Sequence, residues 1–267
     1  NLRSMGAIAP GYKADMLVLD DLVSFNPTIV IKDSKVVAEN RIMAMPVKGA
    51  HSDLPSRVGL VKLPELTQES FKIEAESSKM KVIGMRDGEL YTDNRLMAVV
   101  EENGYAIADP KQDLAKVIVF DRHKGESVAR AFATGFGIKR GAVATSIGHD
   151  AHNLCCLGMN DEDMLQAAKL IQEMNGGIVV VVNGEIMATL PLAIAGLMSS
   201  EPLEKVVEQL SDLKAALAKM GTDKDILMPL HFIQLAVIPE LKITDQGLVD
   251  VFAQKIVPLF QDENAPL

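Results

Sequence analysis

The sequence has no tryptophan, 4% aromatic residues and two cysteines among 267 residues. Scarce aromatics disfavour a stacking platform for bases or sugars. Cys155 and Cys156 are adjacent, and neighbours on a strand point to opposite faces, a poor geometry for a disulfide. A stapled secreted scaffold is therefore excluded, and a reducing cytoplasm is expected. The longest apolar run, Leu190–Met198, is interrupted by Pro191 and Gly196. It falls well short of the ~18 residues that a membrane span needs. Basic charge is also short, with 27 Lys and Arg against 36 Asp and Glu and a net charge of −9. Clustered cations on nucleic acid or an anionic membrane are not expected from such a chain. The start, Asn1-Leu2-Arg3-Ser4-Met5, has neither an initiator Met nor an apolar signal core.

What is present is enough apolar material for a substantial core, 48% hydrophobic and 24% charged residues with a mean hydropathy of +0.15. Pro10-Gly11 marks a turn before a short buried strand at Met16–Leu19. Thr28–Lys32 and Lys35–Glu39 flank Asp33-Ser34 as a tight hairpin. Residues 46–66, punctuated by Pro46, Pro55 and Pro64, read as a connector. Beyond it, the patterns predict strands at Phe71–Ala75, Met80–Met85, Leu96–Glu101, Lys116–Phe120, Val143–Ile147 and Leu154–Leu157. Ser127–Thr134 reads as a short helix stopped by Gly135.

Two longer helices are plainer. One starts at the N-cap Asn160, lines Met164, Ala167, Ala168, Ile171 and Met174 on one face, and ends near Asn175-Gly176. The other follows Ser200 and Pro202, buries Leu203, Val206, Val207, Leu210, Leu213 and Leu217, and stops at Gly221. Between them Ile178–Val182 and Glu185–Thr189 flank Asn183-Gly184, a strong hairpin signal. Antiparallel hairpins mixed with helices give an α+β class. The expected arrangement is a short β piece over residues 1–45, the connector, and a larger α+β domain over 67–267, mostly antiparallel with packed helices.

Chemistry concentrates in Gly148-His149-Asp150-Ala151-His152-Asn153, a polar loop between two apolar strands and home to two of the five histidines. Imidazole titrates near neutral pH, Asp can fix its tautomer, and Asn offers a donor and an acceptor to a heterocycle edge. The plainer reading is a turn whose side chains satisfy local backbone. A metal on the two histidines lacks a third or fourth ligand in the sequence, and the zinc deaminase pattern H-x-E with P-C-x-x-C is missing. Arg122 and His123, just past a strand, suit an anionic or heteroaromatic group, or else a solvated loop. His51 and His231 read as structural. Gly135, Gly137 and Gly141 lack the setting of a phosphate-binding fingerprint.

Two regions resemble a known family. Gly6–Asp20, with the pattern G-x-I-A-P-G-Y-x-A-D-x-x-x-L-D, is similar to the closing strands of the small β-sandwich of amidohydrolases. More specific are Gly135-Phe136-Gly137, Gly141–Thr145, His149–Asn153 and Gly158–Met164, with Gly176-Gly177, Leu190–Ser199 and Ile238–Asp250 behind them. They resemble, in the same order, the C-terminal domain of the bacterial adenine deaminases. The resemblance implies hydrolysis of adenine to hypoxanthine and ammonia, in purine salvage, by a metal-activated hydroxide. It implies manganese or iron held by His, Glu and Asp of a TIM-like barrel, with no metal ligands in this chain. The start before Gly6 then reads as a cut just after that barrel, the missing barrel being the partner of a chain inactive by itself. Homo-oligomers are expected, since unpaired strand edges favour association. The resemblance makes His149, Asp150 and His152 candidates for positioning or proton relay, and Asn153, Arg122 and His123 candidates for substrate contact. The family usually has Ser where this chain has Ala151, so any hydroxyl role passes to Thr145, Ser146 or water. Two other readings stand beside it: a non-catalytic accessory or oligomerisation domain, and a relative acting on another cyclic amidine.

Overall fold

The computed structural model describes residues 3–45 and 59–261. The chain divides into two units, Asn1–Asp53 and Leu54–Leu267. In the first, β1 (Met16–Leu19), β2 (Pro27–Lys32), β3 (Lys35–Glu39) and β4 (Ile42–Met43) form an antiparallel sheet in chain order. The turn at Asp33 and Ser34 holds both residues at positive φ, 46° and 64°, the mirror-image turn that matches strand twist. Asp15 fastens it by accepting the Asp33 N–H at 2.7 Å. His51 and residues 46–58 of the expected connector lie outside the described residues.

The second unit is built on an eight-stranded sheet. Its strands are β5 (Lys79–Met85), β6 (Thr92–Ala98), β9 (Ala115–Phe120), β10 (Val128–Thr134), β11 (Ala142–Thr145), β12 (Leu154–Gly158), β13 (Gly177–Val182) and β14 (Glu185–Pro191). They lie in the order β14-β13-β11-β12-β9-β10-β5-β6. Every neighbouring pair is antiparallel except β10 and β5. A small hairpin pairs β7 (Glu101–Glu102) with β8 (Tyr105–Ala106). The class is α+β, and mostly antiparallel, as the patterns predict.

Alternation along the central strands sends side chains into two cores. Ala142, Ala144, Cys156, Val179 and Val181 meet Met164, Ala167, Ala168 and Ile171 of helix α1 (Asp161–Met174). Val143, Cys155, Leu157, Ile178 and Val180 face the other way. There they meet Leu213, Ala216 and Leu217 of α2 (Leu203–Lys219) and Leu230 of α3 (Leu227–Phe232). Leu241, Ile243 and Leu248 join them from a three-stranded sheet of β15 (Leu241–Thr244), β16 (Gly247–Asp250) and β17 (Lys255–Val257). The two cysteines sit on opposite faces as expected. Both are free, and burial holds their thiols above the ordinary range.

Local signals explain α1 and the hairpin after it. Asn160 Oδ1 accepts the Asp163 N–H at 2.7 Å, and Asn175 ends the helix at φ 63°. The Asp163 carboxylate also accepts the N–H groups of Asn183 and Gly184 at 3.0 and 2.7 Å. One aspartate thus ties the helix start to the β13–β14 turn.

Several expectations need correction. The Met16–Leu19 strand forms, but its Leu17 and Val18 are exposed rather than buried. The strand expected at Leu96–Glu101 begins earlier, at Thr92, and ends at Ala98, with Glu101 in the separate β7. Residues 128–134 form strand β10, not a helix. Alanine-rich sequence favours helix locally, but pairing with β9 and β5 on both sides prevails. Phe71 closes a 3₁₀ turn over Gln68–Phe71, and the expected strand there is reduced to a single bridge, Glu74 with Tyr105. Leu203 and Val207 of α2 are 73% and 56% exposed. The face that packs carries Val206, Leu210, Leu213 and Leu217, leaving those two on the flank. Among the described residues no helix is long and apolar enough to cross a membrane.

Candidate functional site

The Gly148–Asn153 loop joins β11 to β12, adjacent strands in the middle of the eight-stranded sheet. A loop there is held at both ends by paired backbone, a rigid support for displayed side chains. The turn after β9, Asp121–Ser127, runs beside it because β9 pairs with β12. The third wall is α3 with the residues that follow it.

The loop is clasped from three directions. His149 N–H donates to the His231 carbonyl at 2.8 Å, and the His149 ring stacks on Phe232 with centroids 5.1 Å apart and planes 15° from parallel. His152 N–H donates to the Gly148 carbonyl at 2.6 Å, closing the loop on itself. The His152 carbonyl accepts from Arg122 Nε, and Arg122 Nη2 donates to the Ala195 carbonyl at 2.9 Å. His152 sits at φ 53°, in the left-handed region, which non-glycine residues occupy only when the surroundings over-determine them.

Asn153, proposed from sequence to face a heterocycle, has both ends of its amide engaged within the protein. Its Oδ1 accepts the Arg122 N–H at 3.3 Å, and its Nδ2 donates to Asp245 Oδ1 at 2.8 Å. Asp245 Oδ2 accepts from Ser127 Oγ at 2.6 Å. Asn153 is buried and stitches the loop to the β9–β10 turn and the β15–β16 turn. His123 is exposed, and its Nε2 lies 2.7 Å from the Ala151 carbonyl. Asp121 beside it accepts the N–H groups of His123, Lys124 and Glu126, shaping the turn.

The histidines of the loop differ in what holds them. His149 Nδ1 is 2.8 Å from Asp150 Oδ1 but is not aligned for a hydrogen bond. His152 Nδ1 is buried without a partner. Burial, then the Arg122 charge, then His149, push the His152 imidazole below its ordinary range. It is therefore a neutral base at neutral pH. His231 Nε2 is 3.2 Å from Thr145 Oγ1, and burial pushes this histidine down to about 4. Thr145 Oγ1 also accepts the Ile147 N–H at 3.2 Å. Ser146 Oγ donates to the Gly196 carbonyl at 2.6 Å and accepts the Gly177 N–H at 2.8 Å. Both hydroxyls thus serve the framework around the loop.

Several contributors escape sequence reading. Gln234 packs on Gly148, with its amide oxygen and nitrogen both buried and without partners. Lys242 is fully buried, and its Nζ donates to the carbonyls of Leu90 and Phe232 at 2.7 and 3.4 Å. Burial pushes that amine down to about 8. Phe232, Gln234, Lys242 and Asp245 lie ~80 or more residues from the loop along the chain, so spacing gives no hint of them. The one signal is the Ile238–Asp250 segment, which carries Lys242 and Asp245 and stands out in the sequence.

Among the described residues no three or more His, Cys, Asp or Glu side chains gather as a metal set.

Residues 89–255 match the family model of the adenine deaminase C-terminal domain. The chain is 49% identical over 97% of its length to an adenine deaminase of Thermosipho africanus, covering 45% of that protein. It is 42% identical to one of Kosmotoga olearia over 97% of the chain and 45% of the relative. To one of Methanothrix thermoacetophila it is 40% identical over 98% of the chain and 46% of the relative. The chain thus spans less than half the length of these curated relatives. The family match takes in every strand, helix and turn that meets the His149–Asn153 loop, and by that match the chain belongs to the adenine deaminase C-terminal domain family.

Proposed function

We propose that this chain is the C-terminal portion of an adenine deaminase and that its Gly148–Asn153 loop borders the place where adenine reacts in the longer protein. That the relatives are adenine deaminases supports the substrate, and their greater length supports a catalytic portion outside this chain. That portion would hold the divalent metal, manganese or iron, and supply the hydroxide that attacks the purine. A cytoplasmic purine-salvage enzyme that works as a homo-oligomer completes the reading.

One observation carries the assignment of the loop: His152 is a neutral imidazole with a buried, unpartnered Nδ1, held at positive φ by Arg122. Nδ1 itself is enclosed and the Ile147 backbone bears on the ring, so it is the part of the imidazole lining the open cleft beside the loop that is suited to accept or relay a proton. His149, stacked on Phe232 with its ring centroid 6.1 Å from that of His152, packs beside it as a positioning group. Asn153 acts as a positioning residue through Arg122 and Asp245 rather than by touching the purine.

The test is His152→Ala in the protein of the relatives' full length, with ammonia release followed over adenine concentration. A positioning or relay role predicts a loss of kcat on the order of 10- to 100-fold, KM changing less, and an unaltered far-UV spectrum. Unchanged kinetics would leave the domain a non-catalytic accessory module.

A further inference from the structure

Beside the loop lies a cleft of about 460 Å³ lined by Gly59, Leu60, Lys62, Arg122, His123, His152, Ala195 and Leu197. All of its titratable lining groups are cationic or can become so, in a chain whose net charge is −9. Arg122 is the centre of it. The residue is 5% exposed, yet its charge meets only carbonyl oxygens, those of His152 and Ala195. It makes no ion pair among the described residues, and burial is the sole influence on its guanidinium. The nearby carboxylates are turned elsewhere: Asp121 to the backbone of its own turn, Asp150 to His149, Asp245 to Asn153 and Ser127.

A desolvated charge without a counter-ion is costly unless something compensates it. A guanidinium carries five N–H donors in a planar fork, and two are engaged here. Gly196 presses against that fork so closely that a Cβ there would stand 2.8 Å from Arg122 Nη1. The fork is thus fixed in place before any ligand arrives, with Lys62 and His123 exposed at the rim.

We propose that this cleft binds an oxyanion, a phosphoryl group seated on the Arg122 fork with Lys62 and His123 at its edge. Fork geometry and phosphate oxygens match in a way that a point charge does not. Adenine is neutral and would leave the buried charge uncompensated, so the Arg122 fork itself calls for an anion, whether or not the purine meets the loop at His152. Free phosphate and a phosphate monoester share this chemistry; Leu60 and Leu197 add apolar wall for the carbon part of an ester. The inference does not depend on the deaminase reading, because binding is measured on this chain without turnover.

The experiment is a titration of the 267-residue chain with sodium phosphate and, separately, ribose 5-phosphate, watching the His123 and His152 ring protons by NMR. Potassium chloride at matched ionic strength is the control. Saturable shifts that chloride does not reproduce are expected, with Arg122→Lys weakening binding about tenfold or more and His123→Gln about threefold. Tighter binding of one titrant identifies the source of the phosphoryl group. If Arg122→Lys does not fold, Lys62→Ala combined with His123→Gln, both at exposed positions, provides the same weakening. Shifts that never saturate, that chloride matches, or that persist unchanged in the folded variants overturn the proposal.

Discussion

Gln234 lays its amide against the α-carbon of Gly148 so closely that a Cβ built there would stand 1.7 Å from Nε2 and 2.4 Å from Cδ. Gly148 does not adopt a positive φ, so its requirement for glycine is steric rather than conformational. The Gly148→Ala change should therefore destabilise by about 1–3 kcal/mol, the usual range for overpacking. Gln234→Ala in the same chain should recover most of that loss, because it removes the atom in the way. A double-mutant cycle by urea unfolding measures the coupling directly. Additive effects would show that the loop relaxes without meeting Gln234.

His231 gives the fold an acid sensitivity. Its imidazole is pushed from 6.5 down to about 4 by burial, so the native protein keeps it neutral where the unfolded chain protonates it. The unfolded state binds the extra proton between those values, and stability falls as pH drops through that window. The contribution, fully present above ~6.5, amounts to roughly 3 kcal/mol lost by pH 4. Replacing His231 by Gln keeps a polar partner for Thr145 and removes the titration. Unfolding free energies at pH 7 and pH 4.5 should then diverge less in the variant than in the parent. Equal pH slopes would mean that the imidazole is not the group responsible.

Much of this architecture was legible in the residues themselves. The α1 start at Asn160 and the Asp33-Ser34 and Asn183-Gly184 turns are local chemistry, set by capping oxygens and by residues that tolerate positive φ. The opposite facing of Cys155 and Cys156 follows from strand geometry alone. Residues 128–134 misled because their alanines describe a helix in isolation, whereas two flanking strands impose an extended chain. In the site, the loop and the Arg122 turn are visible as polar interruptions of apolar strands. What fixes them is not visible, because Phe232, Gln234 and Asp245 arrive from the far end of the chain. Nor does composition reveal that Asn153 faces inward. Its amide chemistry suits a purine edge and an internal Asp245 equally well, and only tertiary placement decides between them.

That internal placement makes a sharp prediction. The bond from Asn153 Nδ2 to Asp245 Oδ1 is 2.8 Å, and Asp245 Oδ2 meanwhile accepts from Ser127. Asn153→Asp would set two carboxylates against each other in a buried position, costing about 1–3 kcal/mol at neutral pH. Lowering the pH should return part of it as the pair takes up a shared proton. The exchange N153D with D245N restores a donor and an acceptor in reversed order: the new carboxylate still accepts from Arg122 N–H, and the new amide oxygen still accepts from Ser127. Stability of the double variant should come back to within about 1 kcal/mol of the parent, a coupling of the size expected for contacting residues. In the longer protein the same pair separates structure from contact with substrate. If Asn153 only positions the loop, the exchanged pair restores kcat along with the fold. Full stability with activity still lost would instead place the Asn153 amide on the substrate.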